Sequence, residues 1–233
     1  MSKSKLILAL DVPTPDEAKK LVECLAEYVG VFKVGSQLFT AAGPEIVKFI
    51  RSKGAEVFLD LKFHDIPHTV AKAVVEAGKM DVAMLTLHAS GGSDMILAAR
   101  EAAEEADRAP LLLAVTVLTS MDNEDLVEVG VNHSTNGQVL NLARLAKRAG
   151  ADGLVASPHE VALIRDEVGN HIKIVVPGVR PAGAETFDQK RVMTPHDALK
   201  AGANYIVVGR PIINAPDPVA AAQSILHEIS ILD

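Results

Sequence analysis

The segment Asp60-Leu61-Lys62-Phe63-His64-Asp65-Ile66-Pro67 sets two acids, a lysine and a histidine into eight consecutive positions, directly after the apolar run Val57-Phe58-Leu59. If that run is a strand, Asp60 and Lys62 stand two apart on its continuation and project to one side, with about 6.6 Å between them. A carboxylate and an ammonium at that spacing meet as a charged pair. Asp65 lies past the strand, where Pro67 starts or redirects the chain, so it need not face the same pocket. Two earlier apolar runs carry comparable groups: Leu6 to Leu10 ends at Asp11, and Val31 to Val34 carries Lys33 ahead of Gly35. With Lys33 on an adjacent strand, two cations and one or two acids share a site, each contact worth about 4 kcal/mol at 4 Å in an effective dielectric of 20. Lys62 is then open to three roles: proton donor, Schiff-base nucleophile or anchor. A Schiff-base lysine needs a depressed pKa, normally from burial or a second cation without neutralising acids, so the acids here favour proton delivery. Taken in isolation, an Asp-x-Lys pair reads first as an ordinary ion pair on a barrel rim.

A second constellation sits late in the chain. Pro177-Gly178-Val179-Arg180-Pro181 and Val208-Gly209-Arg210-Pro211 each combine a glycine, through which backbone N–H groups can approach a ligand, with a guanidinium that matches phosphate oxygens. Either glycine alone could be a tight-turn residue; the paired placement points to phosphate. His64 and His68 stand four apart, but Pro67 between them spoils a regular helical metal face, and no metal site is assigned. His88, ending an apolar run, reads as a hydrogen-bonded strand residue.

These groups need a scaffold that brings distant segments to one place. Eight short, nearly continuous apolar runs recur along the chain: Leu6–Leu10, Val31–Val34, Val57–Leu59, Met84–Leu87, Leu111–Val117, Leu154–Ala156, Ile172–Val176 and Tyr205–Val208. Runs of that kind, without strict alternation, are expected of parallel strands covered on both faces. Amphipathic stretches of helical length separate them. Thr14-Pro15-Asp16-Glu17, Thr194-Pro195-His196-Asp197 and Asp217-Pro218 read as capped helix starts. Gly54, Gly150, Gly202 and, in a similar place, Gly78 read as left-handed helix stops before the next strand. Alternation of this kind predicts the α/β class and a closed (β/α)8 TIM barrel, a single catalytic domain over residues 1–233. An open doubly wound sheet is the structural rival, but the first strand is followed by Asp11-Val12-Pro13 and not by a glycine-rich dinucleotide loop. In a barrel, reactive groups gather where strands end, and nearly every run here closes on a polar residue.

Composition narrows the partners. A chain of 233 residues with 48% hydrophobic and 23% charged residues can bury a sizeable core. The lone Cys24 excludes an intramolecular disulfide and a multi-thiolate metal site and fits a reducing cytoplasm. No run reaches the about 20 apolar residues of a membrane span, and no cleavable leader is expected. A net charge of −7, no Trp and two Tyr offer nothing to a nucleic-acid polymer, which leaves a small ligand.

The pattern Asp60-x-Lys62-x-x-Asp65-Ile66, with Asp11 and Lys33 before it, strongly resembles the orotidine 5′-monophosphate decarboxylase family. The likeness continues in order through Leu118-Thr119-Ser120-Met121, Pro177-Gly178-Val179-Arg180-Pro181, Asp188-Gln189 and Val208-Gly209-Arg210-Pro211. The resemblance implies a cofactor-free carboxy-lyase that converts orotidine 5′-monophosphate to UMP and carbon dioxide, closing UMP synthesis. It further implies a cytoplasmic homodimer with shared sites: Asp65 and Thr69 come from the partner, while Asp11, Lys33, Asp60 and Lys62 are local, and Ile66 joins the substrate-binding residues. Lys33, Asp60, Lys62 and Asp65 would form the catalytic set. Lys33 and Asp11 would hold ribose hydroxyls, Thr119 or Ser120 the pyrimidine edge, and Pro177, Arg180, Gln189, Gly209 and Arg210 the phosphate end. The segment from Pro181 to Met193 is expected to act as a lid. Metal-dependent sugar-phosphate decarboxylases share Asp-x-Lys-x-x-Asp but carry an acidic ligand where Lys33 stands; a non-catalytic phosphosugar-binding barrel would need only the phosphate loops.

Overall fold

The computed structural model describes residues 2–181 and 193–231. Eight parallel strands, β1 (Leu6–Ala9), β2 (Val31–Gly35), β3 (Glu56–Phe63), β4 (Met84–His88), β5 (Leu111–Val115), β6 (Gly153–Val155), β7 (Lys173–Val176) and β8 (Tyr205–Val208), close in sequential order into one barrel. All eight apolar runs become strands, and the open-sheet alternative is excluded by the pairing of β1 with β8. Strand side chains alternate between two buried surroundings, which is why the runs are continuous. Ile7, Val31, Phe58, Met84, Leu113, Val175 and Val207 point inward and fill the barrel. Leu8, Phe32, Leu59, Leu85, Leu112, Leu154, Ile174 and Ile206 point outward against the surrounding helices. Among the described residues no helix is long and apolar enough to cross a membrane.

Helix termini follow the local chemistry. Thr14 accepts from the Glu17 N–H, Thr194 from Asp197 and Asp217 from Ala220, each cap worth about 1 kcal/mol. Gly54, Gly150 and Gly202 take positive φ of 74°, 87° and 110°, the left-handed stops that lead into β3, β6 and β8. Gly78 does not. It ends the helix Pro67–Gly78, and the left-handed turn falls instead at Asp81, with φ 54°. Glycine is required at 78 for room, because a Cβ there would sit 2.9 Å from the Ala106 Cβ.

The largest departure from regularity lies in β3. Its pairing with β4 joins Phe58 to Met84 and Leu59 to Leu85, then shifts register before Phe63 meets Leu87. Within that bulge Lys62 adopts φ 52°. Simple strand alternation therefore does not carry Lys62 to the side of Asp60, as the spacing alone suggests; a bulge re-aims it.

Packing inside the barrel is tight at β6, where a Cβ on Gly153 would lie 2.6 Å from Leu113 Cδ2 and 2.9 Å from the Lys173 carbonyl oxygen. Gly153→Val is expected to destabilise the fold by about 1–3 kcal/mol, lowering Tm by roughly 2–4 °C per kcal/mol. A thermal melt unchanged from wild type would contradict this account of the interior.

Candidate active site

The C-terminal ends of the strands surround a cavity of about 500 Å³ whose floor is Ala9, Phe58, Val155 and Val207. Above that apolar floor its wall carries Asp11, Lys33, Asp60, Lys62, Thr119, Pro177, Gly178, Arg180, Gly209 and Arg210. Four of these continue the inward side of their strands one position upward: Lys33 follows Val31, Asp60 follows Phe58, Pro177 follows Val175 and Gly209 follows Val207.

Four of these side chains form an alternating row of charge. Lys33 Nζ lies 3.2 Å from Asp11 Oδ1 and 3.4 Å from Asp60 Oδ2, and Lys62 Nζ donates to Asp60 Oδ1 at 2.8 Å. The inner pair is buried, with side-chain exposures of 12% for Lys33 and 11% for Asp60, whereas Lys62 at 36% and Asp11 at 59% reach the mouth. Gly35 leaves room for the row, since a Cβ there would press to 3.2 Å from Lys33 Nζ. Burial acts to raise the Asp60 pKa, but the charges of Lys33 and Lys62 and hydrogen bonds from Lys62 and Thr86 outweigh it and hold the carboxyl below the usual carboxylate range. A fixed anion thus sits between two ammonium groups, one of them facing open cavity.

Thr86 is the member of this cluster that sequence reading missed. Its hydroxyl accepts from the Lys62 backbone N–H at 2.9 Å and donates to Asp60 Oδ1 at 2.9 Å, and the residue has no exposed surface. The available signal was a polar residue at an inward position of the run Met84-Leu85-Thr86-Leu87, two before His88. The His88 ring lies 5.3 Å from that of His64, and burial, then His64 and Lys62, push its pKa down. That shift favours the neutral ring.

Across the cavity, Gly178 has φ 76°, a conformation that favours glycine, so its turn role is real. Gly209 is different: a Cβ there would meet Ala9 and Asp11 only at ordinary distances of 3.5 Å and beyond, so the protein's own packing does not demand glycine. Its missing side chain leaves space on the cavity wall. Arg180 is buried, its Nη1 donates to the Val179 carbonyl, and its backbone N–H donates to the Met193 carbonyl at 3.0 Å.

Four of the expected residues stand apart from this cavity. Asp65, Ile66 and Thr69 are exposed, Ile66 at 66%, and Asp65 and Ile66 border a separate open depression with His64, Ser90 and Gly91. Ser120 is exposed and lines a neighbouring cavity of about 390 Å³ that shares Thr119 with the first. Gln189 and Asp188, with most of the expected lid, lie outside the described residues.

The model of the Orotidine 5′-phosphate decarboxylase / HUMPS family matches residues 4–225. An orotidine 5′-phosphate decarboxylase from Syntrophotalea carbinolica is 54% identical over 98% of this chain and 96% of its own length. Another from Moorella thermoacetica is 52% identical over 99% and 94%. The crystal structure of orotidine 5′-phosphate decarboxylase from Lactobacillus acidophilus superposes with a TM-score of 0.87 at 38% identity, covering 97% of this chain and 99% of that one.

Because the Asp60 carboxyl titrates below its unfolded value of about 3.9, its contribution to stability is complete above that pH and is lost as pH falls through the lower folded value. Asp60→Asn is expected to cost about 3–5 kcal/mol in urea unfolding near neutral pH. The gap to wild type should narrow towards about pH 3, below the unfolded value; a gap independent of pH would contradict the depressed pKa.

Proposed function

This chain belongs to the orotidine 5′-phosphate decarboxylase / HUMPS family, and we propose that its cavity removes the carboxylate of orotidine 5′-monophosphate by direct protonation at C6, with Lys62 as the proton source. The overall reaction is decarboxylation of orotidine 5′-monophosphate to UMP, a step of pyrimidine nucleotide synthesis. The observation that carries the mechanistic reading is the row Asp11, Lys33, Asp60, Lys62 on one cavity whose lining also holds Arg180, Gly209 and Arg210.

Loss of carbon dioxide leaves an electron pair on C6 with little resonance stabilisation, so the site must supply fixed positive charge and a proton at that carbon. Lys62 offers both: its ammonium is held by Asp60 yet borders open cavity. The proton passes from Nζ to C6 as the C6–carboxylate bond breaks and its electron pair stays on C6, leaving neutral lysine and UMP. Asp60 keeps Lys62 in place. Asp11 and Lys33 hold the ribose hydroxyls, Thr119 or Ser120 the pyrimidine edge, and Arg180, Gly209 and Arg210 the phosphate. Pro177 lies on the same wall and Gln189 belongs to the same proposed phosphate set. Phosphate contacts far from C6 fix the ring over Lys62, so remote binding lowers the barrier of the chemical step.

Asp65, Ile66 and Thr69 are assigned to the site of a second copy. Their exposure at the start of the helix Pro67–Gly78, outside the cavity of their own chain, supports a homodimer with shared sites.

UMP is expected to form from orotidine 5′-monophosphate at an unchanged rate in excess EDTA; activity lost to the chelator and restored by magnesium would favour the metal-dependent chemistry instead, and binding without turnover a non-catalytic barrel. Mixing Asp65→Ala with Lys62→Ala, each inactive alone, should restore activity through hybrid dimers that retain one complete site. Verified subunit exchange without recovered turnover would contradict sharing.

A further inference from the structure

We propose that Thr86 is a positioning residue for the decarboxylation, its one hydroxyl holding both the backbone of Lys62 and the carboxylate of Asp60 in their reactive arrangement. The inference rests on the functional reading above and assigns a role to a side chain that has no direct access to the cavity.

Three observations carry it. Lys62 is a non-glycine residue at φ 52°, a strained conformation that persists only where the surroundings impose it. The β3–β4 ladder shifts register between Leu59 and Phe63, and the Lys62 N–H is directed to a side chain, the Thr86 hydroxyl, at 2.9 Å. That same hydroxyl spends its proton on Asp60 Oδ1 at 2.9 Å. Asp60 is thereby fixed in rotation: Oδ1 receives Thr86 and Lys62 Nζ, and Oδ2 faces Lys33. Thr86 closes a ring that runs from the Lys62 amide through its own hydroxyl to Asp60 and back to the Lys62 ammonium.

Valine would fill the volume of Thr86 equally well. What threonine adds is an oxygen, and burying a hydroxyl costs free energy unless it is partnered. Here both partners are groups to which the proposed chemistry assigns work. Without the oxygen the Lys62 amide loses its acceptor inside the bulge, and the Asp60 carboxylate is free to swing on its remaining contacts. The ammonium then moves relative to C6, and a misplacement near 1 Å is worth about 100-fold in rate.

The test compares Thr86→Val and Thr86→Ser with wild type for conversion of orotidine 5′-monophosphate to UMP, together with UMP binding by calorimetry. Thr86→Val should lower kcat about 100-fold while KM and UMP affinity stay within a few-fold, and Thr86→Ser, which keeps the oxygen, should restore most of kcat. Thr86→Ala, which removes the hydroxyl without placing a methyl against Asp60, should show the same selective loss and serves if the valine variant does not fold. Wild-type kcat in any folded variant lacking the hydroxyl overturns the assignment. So does a serine variant as slow as the valine one, or a loss shared equally between kcat and UMP binding. A wild-type protein that produces no UMP contradicts the functional reading itself, whereas wild-type turnover beside an unimpaired valine variant contradicts only the role of Thr86.

Discussion

A buried carboxylate held between two ammonium groups is the constraint around which this molecule is organised. Asp60 would be an expensive charge to place inside a barrel by itself, since burial opposes its ionised form. Lys33 and Lys62 reverse that balance, and the buried Lys33 depends in turn on the acid beside it. The three charges therefore stand or fall together, and Asp11 extends the row to the solvent. What the row presents to the cavity is an ammonium whose position is set by buried contacts, the preorganised charge that a developing carbanion requires.

The barrel makes such a row possible because adjacent parallel strands bring their upper inward positions into register. Lys33 and Asp60 come from neighbouring strands, with Gly35 paired to Asp60 and Lys33 to Phe58. A floor of Ala9, Phe58, Val155 and Val207 beneath them keeps the charges at the rim, where ligand can reach them. The one place where regular geometry does not suffice is Lys62. There the strand bulges, the backbone enters the left-handed region, and a buried threonine from the next strand supplies the hydrogen bond that the ladder does not. Local strain is concentrated at the residue to which the proposed chemistry assigns the proton, as expected of a site whose precision is maintained by its surroundings.

Much of this was legible in the residues alone, for identifiable reasons. Strands buried on both faces announce themselves as continuous apolar runs, and Thr14, Thr194 and Asp217 declare helix starts through chemistry that acts within three residues. Pro67 signalled that Asp65 leaves the direction of its strand, and Asp65 indeed lies outside the cavity of its own chain. What escaped detection depends on contacts between distant segments. The role of Gly78 is set by its closeness to Ala106, and the left-handed stop expected there falls at Asp81. The bulge at Lys62 and the part played by Thr86 arise only when β3 and β4 lie side by side, so neither has a signature within a single run.

The central claim is that Lys62 supplies the proton at C6, and its most direct measurement is single-turnover decarboxylation by Lys62→Ala with UMP binding determined on the same preparation. A rate reduced by about 10²–10⁴-fold or more, in a folded protein that still binds UMP, is the result this account predicts. Decarboxylation near the wild-type rate in that variant would contradict it.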